Sequence, residues 1–407
     1  MTEAVEREGY EDMGRWLERK EIVALIGVRR GGKTTLLKML VSRLLKRADP
    51  KNVLFVKCDD DRVEMKGMID DAITTYRKLF NPSGKIFLFL DEVQEIPGWG
   101  KTIKRIYDLD SSIKIFLAGS SSAVLKAELS TVLAGRVAYF TVYPFSFREF
   151  MNAKGARLEK ANLLAKKNEV LHYMKEYMEF GGFPEVVLEK SSRIKSELLG
   201  YYYDSILFRD IARRYHIRNM ASFERLVVFL LTNMSNPVNF NRTAKSLGLS
   251  VDSVTEYVRC LQETFLAFAV PVLSYSVKAQ QMNPKKIYCV DTGLRNFTGF
   301  RFSEDAGRLA ENMVFTELRR RGGEIYYWKN GGEVDFVVKK QNRVSEIIQV
   351  CWDVKNKETV EVSSLVKAAG HFKLKSGMIL TEDFEGVKKI DDIEITFKPI
   401  WKWLLFQ

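Results

Sequence analysis

The string Gly27-Val28-Arg29-Arg30-Gly31-Gly32-Lys33-Thr34 constrains this chain more than any other feature. The apolar run Ile22-Val23-Ala24-Leu25-Ile26 precedes it, and Thr35-Leu36-Leu37-Lys38-Met39-Leu40 follows. A GxxxxGK[ST] pattern between an apolar strand and a helix reads as a phosphate-binding loop. Gly27, Gly31 and Gly32 let the backbone approach a phosphate without side-chain clashes. The following helix adds its positive end. Lys33 is expected to reach the β- and γ-phosphates of ATP, and Thr34 to ligate Mg²⁺. Arg30 and Thr35 are further expected nucleotide contacts, with Arg30 also a candidate partner for Glu92.

The second half of such a site follows the run Ile86-Phe87-Leu88-Phe89-Leu90, which reads as a central parallel strand buried on both faces. It ends in Asp91-Glu92. Open α/β sheets bind ligands at the carboxyl ends of their strands. Asp91 is expected to hold Mg²⁺, and Glu92 to polarise the attacking water. A bland alternative makes Asp91 a helix cap. A third run, Ile113 to Ala118, ends in Gly119-Ser120-Ser121-Ser122. Ser120, and after it Ser121, are candidates for sensing the γ-phosphate; a helix cap is the alternative. Val53–Val56 and Ala138–Val142 complete five strands alternating with helices, which is a P-loop α/β core. Arg136 follows a helical stretch and Gly135. It is a candidate finger for a neighbouring subunit's γ-phosphate, or a partner within its own domain.

These motifs, with Leu90-Asp91-Glu92-Val93-Gln94, Leu133-Ala134-Gly135-Arg136 and Tyr143-Pro144-Phe145-Ser146-Phe147-Arg148-Glu149-Phe150, resemble a family of AAA+-type ATPases of archaea and bacteria. In that family a domain called DUF4143 follows the ATPase. The resemblance continues at Gly181-Gly182-Phe183-Pro184-Glu185 and Phe208-Arg209-Asp210-Ile211, so it covers nearly the whole chain. It implies ATPase activity and a nuclease-like C-terminal fold.

Beyond residue 150 the pattern changes. Residues 151–220 read as helices, either a lid on the ATPase or a connector. Asn241–Leu247, the turn Gly248-Leu249-Ser250 and Val251–Glu263 have the spacing of a helix-turn-helix. Val270–Tyr275 and Lys286–Val290 are expected as wing strands, with Lys278, Lys285 and Lys286 in or near the tip. Asp252, Ser253, Thr255, Glu256 and Arg259 would face outward on the second helix. That mixed charge leaves DNA binding and protein packing both open.

Residues 296–407 read as a restriction-endonuclease-like, or PD-(D/E)XK, core. Glu311 lies on a first helix, Asp335 on the second strand of a hairpin, and Gln349 and Cys351 on the third strand. A working core needs an acid and a lysine at the last two places, because carboxylates hold Mg²⁺ and an ammonium assists the attacking water. Gln349 and Cys351 therefore mark a degenerate site. Residues 393–406 read as strands carrying Trp401 and Trp403.

The expected fold class is α/β, with four parts. Residues 1–150 form an AAA+-like P-loop ATPase, 151–220 a helical lid or connector, 221–295 a winged helix-turn-helix, and 296–407 the degenerate nuclease-like domain. A net charge of +12 permits contact with double-stranded DNA without establishing it. A homo-oligomer and an unidentified protein are the other expected partners. No stretch approaches a membrane span, and the charged N-terminus lacks a signal-like apolar run. Cys58, Cys260, Cys289 and Cys351 show no metal-ligand spacing, which suits reduced cysteines in the cytoplasm. The functional expectation is an Mg²⁺-dependent ATPase whose nucleotide cycle controls the C-terminal region. The alternatives are an ATP-gated protein-interaction switch and an ATP-dependent nuclease.

Overall fold

Continuous apolar runs suit strands of a sheet covered on both faces, and the first third of the chain builds such a sheet. In the computed structural model the described residues are 5–59, 66–120, 122–156, 165–274, 276–299 and 305–406. They divide into two compact units, Met1–Pro144 with Glu263–Phe265, and Phe145–Gln262 with Leu266–Gln407.

The first unit runs α1 (Tyr10–Gly14), β1 (Ile22–Gly27), α2 (Lys33–Leu44), β2 (Val53–Lys57), α3 (Met68–Phe80), β3 (Ile86–Asp91), α4 (Trp99–Leu109), β4 (Ile113–Gly119), α5 (Ser122–Val132) and β5 (Val137–Val142). The strands lie in the order β2-β3-β4-β1-β5, and every pairing is parallel. Parallel neighbours need crossover helices, which cover the faces. The three inner strands β1, β3 and β4 are accordingly buried at every position. The edge strands β2 and β5 are only partly buried. Leu25, Leu36, Leu40, Phe89 and Phe116 form the core on one face, with Phe89 stacked on Phe116 at 4.4 Å. The register pairs Asp91 with Ala118 and Ile26 with Gly119, so the carboxyl ends of β3, β4 and β1 stand side by side.

The second unit begins with α6 (Phe147–Ala153), α7 (Lys167–Phe180), α8 (Pro184–Leu188) and α9 (Ser192–Asp204). A π-helical stretch, Ser205–Ala212, carries α9 into α10 (Arg213–Tyr215). Gly181, at φ 74°, ends α7, and Pro184 starts α8. The buried carboxylate of Asp291 accepts the Gly182 N–H at 2.7 Å and the Leu294 N–H at 3.1 Å. A Cβ on Gly181 would run into that carboxylate, and one on Gly182 into the Phe145 carbonyl oxygen, which explains the paired glycines.

Then come α11 (Met220–Thr232), β6 (Pro237–Val238), α12 (Phe240–Leu247), α13 (Val251–Glu263), β7 (Ala267–Val270), α14 (Val277–Met282) and β8 (Lys285–Cys289). The three strands form a small antiparallel sheet, β6-β8-β7. Two expectations need correction here. The strand expected at 270–275 lies at Ala267–Val270, because Pro271 and Leu273 bond to the backbone of Tyr327 instead. Lys286 is not at a wing tip: it is buried within the second unit.

The chain continues through α15 (Thr292–Thr298), α16 (Asp305–Arg321), β9 (Glu324–Lys329), β10 (Glu333–Lys340), β11 (Arg343–Cys351), α17 (Val354–Phe372), β12 (Ser376–Thr381), β13 (Gly386–Ile390), β14 (Ile393–Pro399) and α18 (Ile400–Leu405). The sheet order is β13-β14-β12-β11-β10-β9. The sequence pattern of residues 393–406 predicts strands throughout. Only Ile393–Pro399 is a strand; Pro399 then caps a helix that buries Ile400, Trp401, Trp403, Leu404 and Leu405.

Candidate functional site

The carboxyl edge of the parallel sheet gathers most of the residues that the first half of the sequence singled out. Gly27 has φ 150°, and a Cβ there would strike the Val142 carbonyl oxygen. Only glycine can turn the chain this close to β5. Arg30 adopts a left-handed φ of 65°, and Gly32 one of 102°. The buried Lys33 folds back over the loop, and its Nζ donates to the carbonyls of Gly27 at 3.1 Å and Val28 at 3.0 Å. Thr35 and the Arg30 side chain face solvent at the loop and the first turn of α2.

Thr34 Oγ1 donates to Asp91 Oδ2 at 2.7 Å, joining the start of α2 to the end of β3. Asp91 is 1% exposed, and its Oδ1 has no hydrogen-bond partner among the described residues. An unpaired buried carboxylate oxygen is costly. Burial pushes the Asp91 carboxyl above its usual range, against the Thr34 hydroxyl. A cation would relieve both strains. A hydroxyl beside a carboxylate is a hard-oxygen donor set that fits Mg²⁺.

Glu92 is held in a left-handed conformation, φ 53°. Its Oε2 accepts the Gln94 amide at 2.6 Å and the Ser120 N–H at 3.2 Å. Burial pushes its carboxyl up. Lys33, the Gln94 amide, Arg29 and the Ser120 N–H together overcome that and leave it below the usual range. Glu92 is therefore held ionised. The Gln94 amide also reaches Ser120 Oγ at 3.5 Å. Ser121 lies outside the described residues.

Two residues of this site escaped the sequence reading as site residues. Gln94 links Glu92 to Ser120, and its side chain fills the space where a Cβ on Gly119 would sit. The buried Arg7 donates to the Gly31 carbonyl at 3.0 Å and the Tyr143 carbonyl at 2.7 Å, bracing the loop against the end of β5. Nothing local marks Arg7, since its partners are 24 and 136 residues away.

Arg136 stands apart. Its carbonyl accepts the N–H of Ile22, the first residue of β1, at 2.9 Å. Gly27, at the other end of β1, is roughly 16 Å away along an extended strand. The guanidinium pairs with Asp108 and lies over the Tyr107 ring, 5.3 Å from its centroid.

A second constellation lies in the other unit. Glu311 on α16, Glu333 and Asp335 on β10, and Lys286 and Tyr288 on β8 converge. Gln349 joins through its amide oxygen, which accepts the Asp335 N–H at 3.0 Å. Cys351 does not join: its thiol donates to the Asp353 carbonyl at 3.5 Å. Burial and Asp335 raise the Glu311 carboxyl. Burial disfavours the Lys286 ammonium, but Asp335, Glu311 and Glu333 outweigh it and keep it charged.

A parallel β2-β3-β4-β1-β5 sheet with a phosphate loop after β1 and adjacent acids after β3 is a P-loop domain of AAA type. Family models agree along the chain, with an AAA domain at residues 19–151, a domain of unknown function (DUF8612) at 171–304 and a domain of unknown function (DUF4143) at 306–403. The chain belongs to the family of the uncharacterized protein MJ1544 of Methanocaldococcus jannaschii, with 33% identity over 403 residues, 95% of this chain and 88% of that protein. An uncharacterized protein of Haemophilus influenzae is 28% identical over 407 residues and 98% of each chain. Among solved structures, the Saccharomyces cerevisiae Hsp104–casein complex matches 63% of this chain and 49% of its own at 16% identity and TM-score 0.33. A DNA polymerase III gamma subunit-related protein of Thermotoga maritima matches 63% of this chain and 100% of its own at 12% identity and TM-score 0.31. No helix among the described residues is long and apolar enough to cross a membrane.

Proposed function

We propose that this protein is an Mg²⁺-dependent ATPase whose nucleotide cycle controls the region after residue 150. The observation that carries the reading is the Thr34–Asp91 hydrogen bond, with the second Asp91 oxygen left open beside it. Mg²⁺, when bound with the nucleotide, neutralises phosphate charge. Thr34 and Asp91 would hold it. Lys33 would exchange the Gly27 and Val28 carbonyls for phosphate oxygens, while the loop N–H groups and the α2 N-terminus cradle the chain of phosphates. Glu92, ionised and oriented by Gln94, would accept the hydrogen bond of the attacking water. Ser120 would report the γ-phosphate to Glu92 through Gln94. Arg136, on the far edge of the sheet, would act on a neighbouring subunit's nucleotide, which requires a homo-oligomer.

The region after residue 150 divides, in this reading, into a helical connector at 151–220, a winged helix-turn-helix at 221–295 and a degenerate PD-(D/E)XK-like domain at 296–407. The turn between α12 and α13 supports the second assignment: Gly248 has φ 67°, and Ser250 caps α13 by accepting the Ser253 N–H at 3.0 Å. Arg242, Lys245 and Arg259 face solvent there, alongside Asp252 and Glu256. Double-stranded DNA is the proposed partner, and a protein partner without DNA the second reading. A cytoplasmic location belongs to the same reading: Cys58, Cys260, Cys289 and Cys351 are all buried and form no disulfide among the described residues, as suits reduced thiols. The deciding experiment is ATP turnover with and without double-stranded DNA, on a sample of measured oligomeric state. Stimulation by DNA supports the first reading. Turnover indifferent to DNA supports the second, and absence of Mg²⁺-dependent turnover removes both.

A further inference from the structure

The nuclease-like cluster already contains a cation. Lys286 Nζ lies 2.7 Å from Asp335 Oδ1, 3.1 Å from Glu333 Oε1 and 3.3 Å from Glu311 Oε1. Its side chain is 3% exposed. The lysine comes from β8, outside the α16-β9-β10-β11 segment that carries the carboxylates and Gln349. Its strand is fastened to α16 and β10 by other contacts, the latter through Tyr288 against Phe336 at 5.5 Å. The Asn312 side chain accepts the Cys289 N–H at 2.8 Å and donates to the Cys289 carbonyl at 3.0 Å. Tyr288 stacks on Phe315 at 4.4 Å and donates its hydroxyl to Glu311 Oε1 at 2.6 Å.

The remaining bonds of the cluster leave little for a metal. Asp335 Oδ2 accepts the Val350 N–H at 2.9 Å, and Gln349 Oε1 accepts the Asp335 N–H at 3.0 Å. Among the described residues, no group of three or more His, Cys, Asp or Glu side chains is arranged to hold a metal ion. A divalent ion needs its oxygens gathered at about 2.0–2.6 Å around one point. The point between these three carboxylates is where the ammonium sits. Burying carboxylates without a counter-charge costs several kcal/mol per ion, and Lys286 supplies that counter-charge here.

We propose that Lys286 is the resident cation of this cluster: it occupies the place a divalent metal would take between Glu311, Glu333 and Asp335, closes the cluster to Mg²⁺ and Mn²⁺, and ties β8 to α16 and β10. The cluster is then a charge lock within the second unit. It also accounts for Gln349 and Cys351: with the cation supplied from β8, the third strand needs neither an acid nor a lysine. The inference stands independently of ATP hydrolysis, because its residues all lie outside the first unit.

The test is Mn²⁺ binding, read by electron paramagnetic resonance on the nucleotide-free full chain. Every sample carries Asp91→Asn, which removes the phosphate-loop metal site. The expected result is no Mn²⁺ bound to this background in a manner that a further D335N change abolishes. K286M should gain one equivalent of Mn²⁺, K286R should not, and K286M with D335N should lose the gain. An Asp335-dependent equivalent of Mn²⁺ with Lys286 in place overturns the proposal, and that measurement does not depend on any Lys286 variant folding. A folded K286M that gains no metal overturns it equally.

Discussion

The Thr34 hydroxyl donates to the Asp91 carboxylate at 2.7 Å, across the seam between α2 and β3. Two segments 57 residues apart thus meet as one donor set, and the second Asp91 oxygen has no hydrogen-bond partner among the described residues. Asp91→Asn should therefore abolish Mg²⁺-dependent ATP turnover and make nucleotide affinity insensitive to added Mg²⁺. Phosphate release and nucleotide titration with Mg²⁺ or with chelator measure the two effects. An affinity that still responds fully to Mg²⁺ in D91N would rule out Asp91 as a metal-holding residue.

Lys33 and Glu92 should separate binding from chemistry. Lys33→Ala removes the ammonium proposed to contact the phosphates, so affinity and turnover should both fall, turnover by on the order of 10²–10³-fold. Glu92→Gln keeps the shape and the Ser120 contact but removes the ionised carboxylate. It should bind ATP nearly as well as the parent while losing turnover to a similar degree. Comparable turnover in E92Q and the parent assigns the water-polarising role elsewhere.

Arg136 lies at the opposite end of β1 from the phosphate loop, so its expected action is on a neighbour. Its pair with Asp108 is partly exposed and contributes at most ~1 kcal/mol. Arg136→Ala should leave the melting temperature nearly unchanged while turnover drops at every protein concentration. Mixing R136A with K33A should restore part of the activity, because some mixed interfaces pair an intact loop with an intact arginine. No recovery on mixing, in a confirmed oligomer, excludes action across an interface.

Arg7 lies in sequence before the first strand yet braces the phosphate loop through Gly31 and Tyr143. Hydrogen bonds to a charged donor contribute about 1.5–3 kcal/mol, and the two carbonyls would lose that partner. Arg7→Ala should lower the stability of the first unit by roughly 2 kcal/mol and weaken ATP binding. Denaturant titration and a nucleotide affinity measurement together check this; unchanged values for both would remove the bracing role.

Asp291 gives a pH-dependent expectation. Burial raises its carboxyl from 3.8 to about 6, against the N–H groups of Gly182, Leu294 and Gly293. The folded value lies above the unfolded one, so its contribution is full below about pH 4 and is lost as pH rises through about 6. Asp291→Asn stays neutral and should not show that loss. The stability difference between parent and D291N should move against the parent over this window. A difference independent of pH would mean that Asp291 does not titrate there.

The sequence by itself determined the AAA-type P-loop domain of this protein. Glycines at 27, 31 and 32, Lys33-Thr34 and the Asp91-Glu92 pair are local signals, because a loop, a helix start and a strand end each come from neighbouring residues. The apolar runs of β1, β3 and β4 were legible as buried parallel strands for the same reason. The tertiary structure decided what depends on distant neighbours. Arg7 reaches the loop, Gln94 bridges Glu92 to Ser120, and Pro399 turns an apparent strand into a helix that buries Trp401 and Trp403. Lys286 is the clearest case. Its sequence surroundings suggest an exposed wing, yet packing of β8 on α16 and β10 places it among three carboxylates. Charge compensation in a buried cluster depends on which groups meet in space, and no local pattern in the chain encodes that meeting.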